Sequence, residues 1–426
     1  MSNEIIDAHF LELERRLRLT KRQRKIAVER CGSVGAQLHK TYYGTKYDGS
    51  TKLLIGSFGK NTAIRPLNDV DMIFKIPAEI FARFQAHSGN GSADLLQDVR
   101  NALQSKYPLT EKRGWVKVVA LEFETSPRIE ILPACEQADG TFIIPNSADG
   151  GKWEKYDART GLKNITNAPK RVRQLIKFIK HWRDGISAEI SSYFIECAIL
   201  DFANSEEFVD DWLGATKNFF ARLTEADDSI VSAPAETAKK RIGKAIEYAN
   251  LGDYQNACSE LRKVFNKFPN YNSGYFNIAK LSKQYPSDAE QYVEDYAEVD
   301  IKEEATLHIM TVVTATAKGW SHAPYTLQEI ISKFGKIPPQ FKIRFLPRTN
   351  YEGEVTYKWK IRNFGEEAKS ANNLRGEITD GDMGDGHLVE FTRYAGHYHY
   401  VECYMIENGI CIARKMLFVP IGGIHE

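Results

Sequence analysis

The segment from Gly56 to Asp71 constrains this chain most, because it joins a phosphate-type turn to two closely spaced carboxylates. A short apolar run ends at Gly56, a residue without a Cβ that lets the backbone turn and approach a ligand closely. Ser57 then offers a hydroxyl and an amide to an anion. Asp69 and Asp71 follow, at the start of an apolar run that predicts a strand. Residues two apart on a strand share a face, so both carboxylates should point the same way.

Two carboxylates held on one strand face favour a divalent cation, because they repel each other unless a cation lies between them. Their hard oxygens suit Mg²⁺ or Mn²⁺. Glu130, which follows Ile129 in a second apolar run, is the candidate for a third carboxylate on a neighbouring strand. Metal ions held in this way can activate an attacking hydroxyl and neutralise a pyrophosphate leaving group. Taken alone, Asp-x-Asp also fits an exposed strand face, and Gly-Ser also fits a simple turn. The two motifs together, in this order, predict metal-dependent nucleotidyl transfer.

The patterns around this segment divide the chain into three kinds of structure. Short apolar and β-branched runs predict strands, which we place at 52–55, 69–76, 115–124 and 129–132. Helical patterns dominate from 169 to 334, and residues 245–269 predict a helical hairpin. After Pro338-Pro339, alternating apolar residues and the Asn408-Gly409 dipeptide predict a small antiparallel β domain.

Composition excludes several classes of protein. The net charge of +1 argues against a protein that coats nucleic acid, so we predict no strong nucleic-acid binding. There is no uninterrupted apolar run long enough to span a bilayer, and the first residues do not resemble a signal peptide, so we predict no membrane association. The six cysteines are scattered without a CxxC pair. This spacing favours reduced thiols in a soluble, cytoplasmic protein.

Segment 56–71 resembles the signature of the polymerase-beta-like nucleotidyltransferase superfamily. Its longer form, with Thr-Ala-Ile at 62–64, resembles the bacterial oligonucleotide cyclases related to cyclic GMP-AMP synthase and oligoadenylate synthase (CD-NTases, or SMODS proteins). The run at 19–24 is similar to the opening helix pair of that family. The run at 129–134 is similar to its third-carboxylate strand, although the family usually has aspartate where Glu130 stands.

The resemblance also implies roles for residues in the helical region. Leu-Ile-Lys-Phe-Ile-Lys-His-Trp at 175–182 is similar to a family helix whose lysine contacts the triphosphate, which assigns that role to Lys180. Ser192 resembles a serine that contacts the triphosphate, and Tyr193 an aromatic residue that stacks on the donor base. Lysine as a counter-charge and tyrosine as a platform suit these roles. A surface lysine and a half-buried core tyrosine are the plainer alternatives.

The tail from 357 to 420 resembles the adenylyl/guanylyl cyclase and SMODS C-terminal sensor domain. Its aromatic residues and Arg375 could stack a base and pair with a phosphate, so we predict a nucleotide or a phage-associated ligand there. His397 and His399 lie two apart on a predicted strand. With no acid or cysteine at metal-ligand spacing, we interpret them as part of a polar strand face.

Together these features predict an α+β fold: a polymerase-beta-like palm with N-terminal helices (1–160), a helical lobe completing the nucleotide cleft (161–335), and a β-rich sensor domain (336–426). The resemblance implies a cyclic oligonucleotide second messenger made in anti-phage (CBASS-type) signalling. The substrates would be NTPs, namely ATP with or without GTP or another NTP, and the product would act on a downstream cyclic-nucleotide-activated effector. A linear polymerase, a transferase that modifies RNA or protein, and a non-catalytic ligand-binding module remain alternatives.

Overall fold

The computed structural model describes residues 2–226, 228–302, 304–315, 324–382 and 386–423. Contacts between Cα atoms divide the chain into two compact units. The first unit consists of residues 1–19 and 23–271, and the second consists of residues 20–22 and 272–426. In the part of the chain that is described, no helix is both long enough and apolar enough to cross a membrane.

The first unit begins with two helices and continues into a mixed α/β region. Its elements in chain order are α1 (Ser2–Leu17), α2 (Lys21–Tyr43), β1 (Lys52–Leu54), α3 (Gly56–Gly59), β2 (Asp69–Lys75), α4 (Ala78–Gln85), α5 (Gly91–Gln104), β3 (Glu111–Gly114), β4 (Val119–Glu122), β5 (Arg128–Glu136), β6 (Phe142–Asn146) and β7 (Lys152–Tyr156). The predicted helix pair at the N-terminus is confirmed.

The sheet of this unit runs in the order β1-β2-β5-β4-β3, and β6 pairs with both β5 and β7. β2 and β5 are parallel, whereas β1 and β4 lie antiparallel to them. On β2, Val70, Met72 and Phe74 are fully buried in a core shared with α2 and α5. Strand alternation therefore turns Asp69 and Asp71 to the opposite face of the sheet.

The strand predicted over 115–124 is wrong in its extent. Only Val119–Glu122 is strand, and it pairs with β3, which the sequence analysis did not identify. The Trp115 N–H donates to the Val118 carbonyl at 2.9 Å, which closes the turn between the two strands. A β-branched run around Val118 has the composition of a strand, so composition alone could not reveal this turn.

A helical region completes the first unit. It contains α6 (Ala158–Thr166), α7 (Lys170–Gly185), α8 (Ser192–Phe202), α9 (Trp212–Thr224), α10 (Ser229–Asn250) and α11 (Tyr254–Val264). An aromatic-rich core joins these helices to α1, with Phe10 and Phe178 fully buried at its centre. α10 and α11 pack against each other, so the predicted helical hairpin is confirmed.

The second unit is rich in β-structure. Its elements are α12 (Ser273–Gln284), β8 (Glu298–Val299), β9 (Leu307–Thr314), α13 (Leu327–Phe334), β10 (Lys342–Thr349), β11 (Thr356–Arg362), α14 (Glu366–Ser370), β12 (Arg375–Asp380), β13 (Leu388–Phe391), β14 (Tyr400–Glu407) and β15 (Ile410–Phe418). One sheet has the order β13-β10-β9 and another the order β12-β11-β14-β15-β8. Asn408 and Gly409 both have positive φ in the β14–β15 turn, as the hairpin prediction required.

Pairing in this unit is antiparallel except between β15 and β8 among the described strands. The predicted α+β class with a C-terminal antiparallel β region is therefore confirmed. The helical prediction is wrong at 307–314, because β9 lies there and pairs with β10 along its whole length. The compact units divide at 271/272, whereas the sequence places its boundaries at 160 and 335, and those domain bounds stay predictions.

Candidate active site

Parallel pairing of β2 with β5 brings the predicted carboxylates together. In the register of these strands, Asp69 lies opposite Arg128 and Asp71 lies opposite Glu130. In-register side chains on parallel neighbours project to the same face. The carboxyl groups of Asp71 and Glu130 are close enough to share a hydrogen bond. The structure thus assembles the three acids that the sequence predicted to act together.

Gly56 lies where the backbone passes against the carboxylate of Asp71. It has a φ of +59°, and a Cβ at this position would lie 1.7 Å from Oδ2 of Asp71. The Ile55 N–H also donates to the Asp71 carbonyl at 3.0 Å, which ties the turn to β2. Ser57, the second residue of the short helix α3, therefore follows directly on the residue that lies against the Asp71 carboxylate. Because the first N–H groups of a helix have no intrahelical partner, the Ser57 amide faces outward with its hydroxyl nearby.

A guanidinium stands among these acids. Nη2 of Arg128 lies 2.7 Å from Oε1 of Glu130 and 3.6 Å from Oδ2 of Asp69. The guanidinium also stacks on the ring of Trp115, with its Cζ 4.7 Å from the ring centroid. Arg128 thus holds Glu130 in an ion pair and offsets part of the negative charge at the site.

The electrostatics of Asp71 show how crowded the acids are. Burial, and after it the charges of Asp69 and Glu130, raise the pKa of Asp71 to about 7, while Arg128 opposes the shift only in part. No three acid, histidine or cysteine side chains in the described residues already form a metal-binding cluster. The donors nevertheless fit a divalent cation, because a cation would favour the ionised form that the neighbouring acids disfavour. Asp69, Asp71 and Glu130 are the residues that would hold it.

Lys180 is buried rather than exposed to a ligand. It is 3% exposed, and its Nζ donates to Oε1 of Glu196 at 2.8 Å and to Oγ1 of Thr62 at 3.0 Å. Burial lowers its pKa, and the charge of Glu196 opposes that shift. Lys60 reaches the other oxygen of Glu196 at 2.7 Å with its side chain 15% exposed. Glu196 therefore holds one buried lysine and one more exposed lysine next to α3.

The start of α8 carries the other predicted residues. Ser191 caps the helix by accepting the Phe194 N–H at 3.1 Å, whereas Oγ of Ser192 accepts a hydrogen bond from Arg183 at 3.0 Å. Tyr193 is 72% exposed, so it is not a core residue. Its exposed ring can stack on a planar group. A hydrogen bond with Cys197 raises the pKa of Tyr193, and the charge of Lys60 opposes the shift, so Tyr193 lies near that lysine.

Two family models match this chain. Residues 5–168 match the Second Messenger Oligonucleotide or Dinucleotide Synthetase (SMODS) domain, and the match spans both β2 and β5. Residues 287–422 match the Adenylyl/Guanylyl and SMODS C-terminal sensor (AGS_C) domain. This chain is a nucleotidyltransferase with a SMODS domain and an AGS_C domain. The family predicted from the sequence, and the enzyme class with it, are confirmed.

Relatives of this SMODS protein are distant. A protein described as "Probable cyclic nucleotide synthase" from Bacillus cereus (strain VD146) is 24% identical over 280 residues, which cover 53% of this chain and 84% of that protein. A solved structure of E. coli MS115-1 CdnC with ATP is 17% identical, with a TM-score of 0.46 over 61% of this chain and 98% of that one. CdnG of Bradyrhizobium diazoefficiens with GTP is 15% identical, with a TM-score of 0.45 over 61% and 98%.

Sequence reasoning missed several residues that lie near the candidate site. Lys60 follows Ser57 in the same Gly-Ser-Phe-Gly-Lys run, so the sequence did contain its signal. Glu196 lies one helical turn beyond Ser192, but its partnership with two lysines requires contacts between distant segments. Tyr156 ends β7, and its pKa is raised by burial and then by the charges of Asp71 and Glu196. Nothing in the local sequence around Tyr156 indicates that it lies between these groups.

Proposed function

We propose that Asp69, Asp71 and Glu130 hold divalent metal (Mg²⁺ or Mn²⁺) and that this site joins NTPs into a cyclic oligonucleotide. The observation that carries the proposal is the register of β2 and β5, which sets Asp71 opposite Glu130 while the Gly56 backbone lies against the Asp71 carboxylate. When bound, the metal would supply Lewis-acid activation of the attacking hydroxyl and charge neutralisation of the triphosphate. The matched SMODS domain supports the oligonucleotide product.

The side chains around the acids would bind and orient the nucleotide. Ser57 offers an amide and a hydroxyl to phosphate oxygens at the start of α3. Tyr193 offers an exposed ring on which the donor base can stack. Ser192 lies in the same turn of α8 as Tyr193, and its hydroxyl accepts a hydrogen bond from Arg183 of α7. These groups position the triphosphate and base against the carboxylates and do not themselves exchange protons.

We assign the lysine contact with the triphosphate to Lys60 and a positioning role to Lys180. Lys180 is buried and already satisfied by Thr62 and Glu196, so an anion would have to break that network to reach it. Lys60 is more exposed than Lys180. It lies at the C-terminal end of α3, close to Ser57. In this arrangement Lys180 fixes Glu196, and Glu196 in turn aims Lys60 at the phosphates.

We further propose that the product is a second messenger in bacterial anti-phage signalling of the CBASS type. The name of the matched domain, a second messenger synthetase, supports this proposal. The substrates would be ATP, with or without GTP or another NTP, and the product would act in the cytoplasm on a cyclic-nucleotide-activated effector. Cells that carry the gene with its genomic neighbours should form fewer plaques on phage infection than cells that lack them. The same cells with Asp69→Asn and Asp71→Asn should lose that protection.

The direct test is to incubate the purified full-length chain with each NTP, labelled in turn, and with their mixtures in Mg²⁺ or Mn²⁺. The expected product is small, resists phosphatase and has the mass of a cyclic di- or trinucleotide. A ladder of phosphatase-sensitive products would instead establish a linear polymerase, and label on added RNA or protein would establish a modifying transferase. No turnover with any NTP mixture, in protein that unfolds cooperatively, would contradict catalysis under these conditions and favour a binding role.

A further inference from the structure

The second unit contains a cavity of about 140 Å³ that the proposed catalysis does not use. Residues of both sheets line it, including Ile343 of β10 and Ile361 of β11 on the apolar side. A buried water needs roughly 10–15 Å³ of comparable space, so the cavity admits on the order of ten non-hydrogen atoms. That is the size of a purine base.

His399 provides a buried polar group in the wall of this cavity. The residue is 2% exposed, and its Nδ1 accepts the Phe364 N–H at 3.1 Å, so the ring proton lies on Nε2. Among the described residues, Nε2 has no hydrogen-bond partner of ordinary geometry. Burial lowers the pKa of His399, and hydrogen-bonding backbone groups of Ala395 and then Tyr394, which face the ring, oppose the shift. The sequence-based interpretation of His397 and His399 as part of a polar strand face is wrong, because both lie between β13 and β14 and His399 is buried.

Gly396 shows why the ring keeps this place. A Cβ on Gly396 would lie 2.4 Å from Nε2 of His399, so only glycine leaves the ring its position. On this side the ring therefore faces the backbone at 394–396. His399 thus supports the loop of Tyr394 and Gly396 that borders the cavity.

The rim of the cavity adds charge and aromatic surface. Nη1 of Arg375 lies 2.8 Å from Oε1 of Glu390, so a donor group and an acceptor group sit side by side. Phe391, next along β13, is 48% exposed, and Tyr394 is half-buried beside it. An aromatic ring next to a paired donor and acceptor suits a flat heterocycle with hydrogen-bonding edges.

We propose that this cavity binds a purine base, carried by a nucleoside or a nucleotide. The base stacks on Phe391 and meets Arg375 and Glu390 at its edge. The matched domain is described as a sensor, but that description assigns neither a ligand nor a residue to it. The proposal does not depend on nucleotidyl transfer, because binding here needs neither metal nor triphosphate.

The test measures binding of guanosine, adenosine and uridine to the full-length chain by calorimetry, without divalent metal. The chain carries Tyr193→Ala, which removes the platform proposed for the catalytic site. We expect saturable 1:1 binding of at least one purine nucleoside at concentrations below about 1 mM, and at least tenfold weaker binding of uridine. Repeating the titration with the 5′-monophosphate of the bound nucleoside shows whether the source is a nucleoside or a nucleotide.

Variants on the surface of the same unit locate the site. Phe391→Ala should weaken purine binding about tenfold, since a stacked base contributes roughly 1–3 kcal/mol. Met310→Ala is the matched control, because Met310 is also an exposed apolar residue but does not line the cavity. It should leave the Kd within about twofold, by the size of an ordinary surface substitution. Absence of purine binding, equal binding of uridine, or an unchanged Kd in Phe391→Ala would each overturn the proposal.

Discussion

At the scale of single residues, the two aspartates of β2 carry the sharpest prediction. Asp69→Asn and Asp71→Asn should each reduce product formation on the order of 10³-fold, because each removes charge from the proposed metal site. The loss should come without unfolding, since asparagine is nearly isosteric with aspartate. The measurement is product formation with Mg²⁺ or Mn²⁺, together with a thermal melt.

A carboxylate outside the site provides the control for this pair. Asp94 is on α5, pairs with His87, and has a side chain that is 54% exposed. Asp94→Asn should retain activity near that of the wild type. Turnover near the wild-type rate in either Asp69→Asn or Asp71→Asn would remove these residues from the catalytic centre.

Lys60 and Lys180 should differ in what their substitution changes: NTP affinity for Lys60 and stability for Lys180. Lys60→Met should raise the KM for NTP about tenfold with little change in Tm, because it removes a charge-assisted contact at a partly exposed position. Lys180→Met should lower the free energy of unfolding by roughly 2–3 kcal/mol, because it leaves Glu196 buried with one lysine fewer.

A double variant separates these roles. Adding Glu196→Gln to Lys180→Met removes the carboxylate that has lost its buried lysine and should restore part of the lost stability. Steady-state kinetics and denaturant titrations of all three variants provide the comparison. If Lys60→Met leaves KM unchanged while Lys180→Met raises it in folded protein, the triphosphate contact belongs to Lys180 as the sequence resemblance implied.

Tyr193 should act on affinity more than on chemistry. Tyr193→Ala should raise the KM for NTP by about tenfold and change kcat less, since a stacked base contributes roughly 1–3 kcal/mol. Phe194→Ala is the matched control, an exposed aromatic residue next to Tyr193 on the same helix. Equal KM values for the wild type and Tyr193→Ala would mean that Tyr193 does not touch the donor base.

At the scale of secondary-structure elements, a hydrogen bond between α1 and α9 depends on pH, because its acceptor is the carboxyl group of Asp7. Its Oδ1 accepts the Trp212 N–H at the start of α9, at 2.7 Å. Burial raises the pKa of Asp7 to about 6, and the Trp212 hydrogen bond opposes the shift. Because the folded pKa exceeds the ordinary value, the carboxyl contributes stability below about pH 4 that is lost as pH rises through 6.

Asp7→Asn keeps an acceptor for Trp212 and cannot ionise. Relative to the wild type, it should gain about 1–2 kcal/mol of stability between pH 4 and pH 7.5, a figure reduced for solvent screening because Asp7 is half-buried. Denaturant titrations at both pH values measure the difference, and Asp210→Asn, at an exposed acid near α9, is the control. A difference between Asp7→Asn and the wild type that does not change with pH would contradict this account.

At the scale of the whole molecule, the position of the boundary decides which truncation folds. Residues 1–271 should be soluble and unfold cooperatively, because this fragment follows the division between the compact units. Residues 1–335 should aggregate, because they keep β9 without its partner β10 and so expose an unpaired strand edge. Light scattering and thermal melts of the two fragments are the measurements.

The same fragments test regulation by the second unit. If this unit senses a ligand, residues 1–271 should differ from the full chain in basal activity or in their response to that ligand. Soluble 1–335 with the same melt as 1–271 would instead support the boundary near 335 that the sequence placed there. Identical turnover and ligand responses in fragment and full chain would contradict a sensing role.

Much of this protein could be predicted from the sequence because its signals are local. Spacing of two along β2 fixed the shared face of Asp69 and Asp71, and the Asn408-Gly409 pair fixed a hairpin turn. Such patterns depend on backbone geometry over a few residues, which the sequence specifies directly. The strand β9 was missed because its apolar residues also fit a helical pattern, and only pairing with β10 decided between the two.

Tertiary structure decided the features that depend on distant segments. Lys180 and Thr62 are 118 residues apart in the chain, yet they are hydrogen-bonded in the structure, where Lys180 is buried and Lys60 is the more exposed of the two lysines. The buried state of His399 and the cavity beside it likewise arise from strands of both sheets. The sequence determined which chemical groups are present and which face they share locally. Burial and partners were decided only by packing, because both depend on every segment that surrounds a side chain.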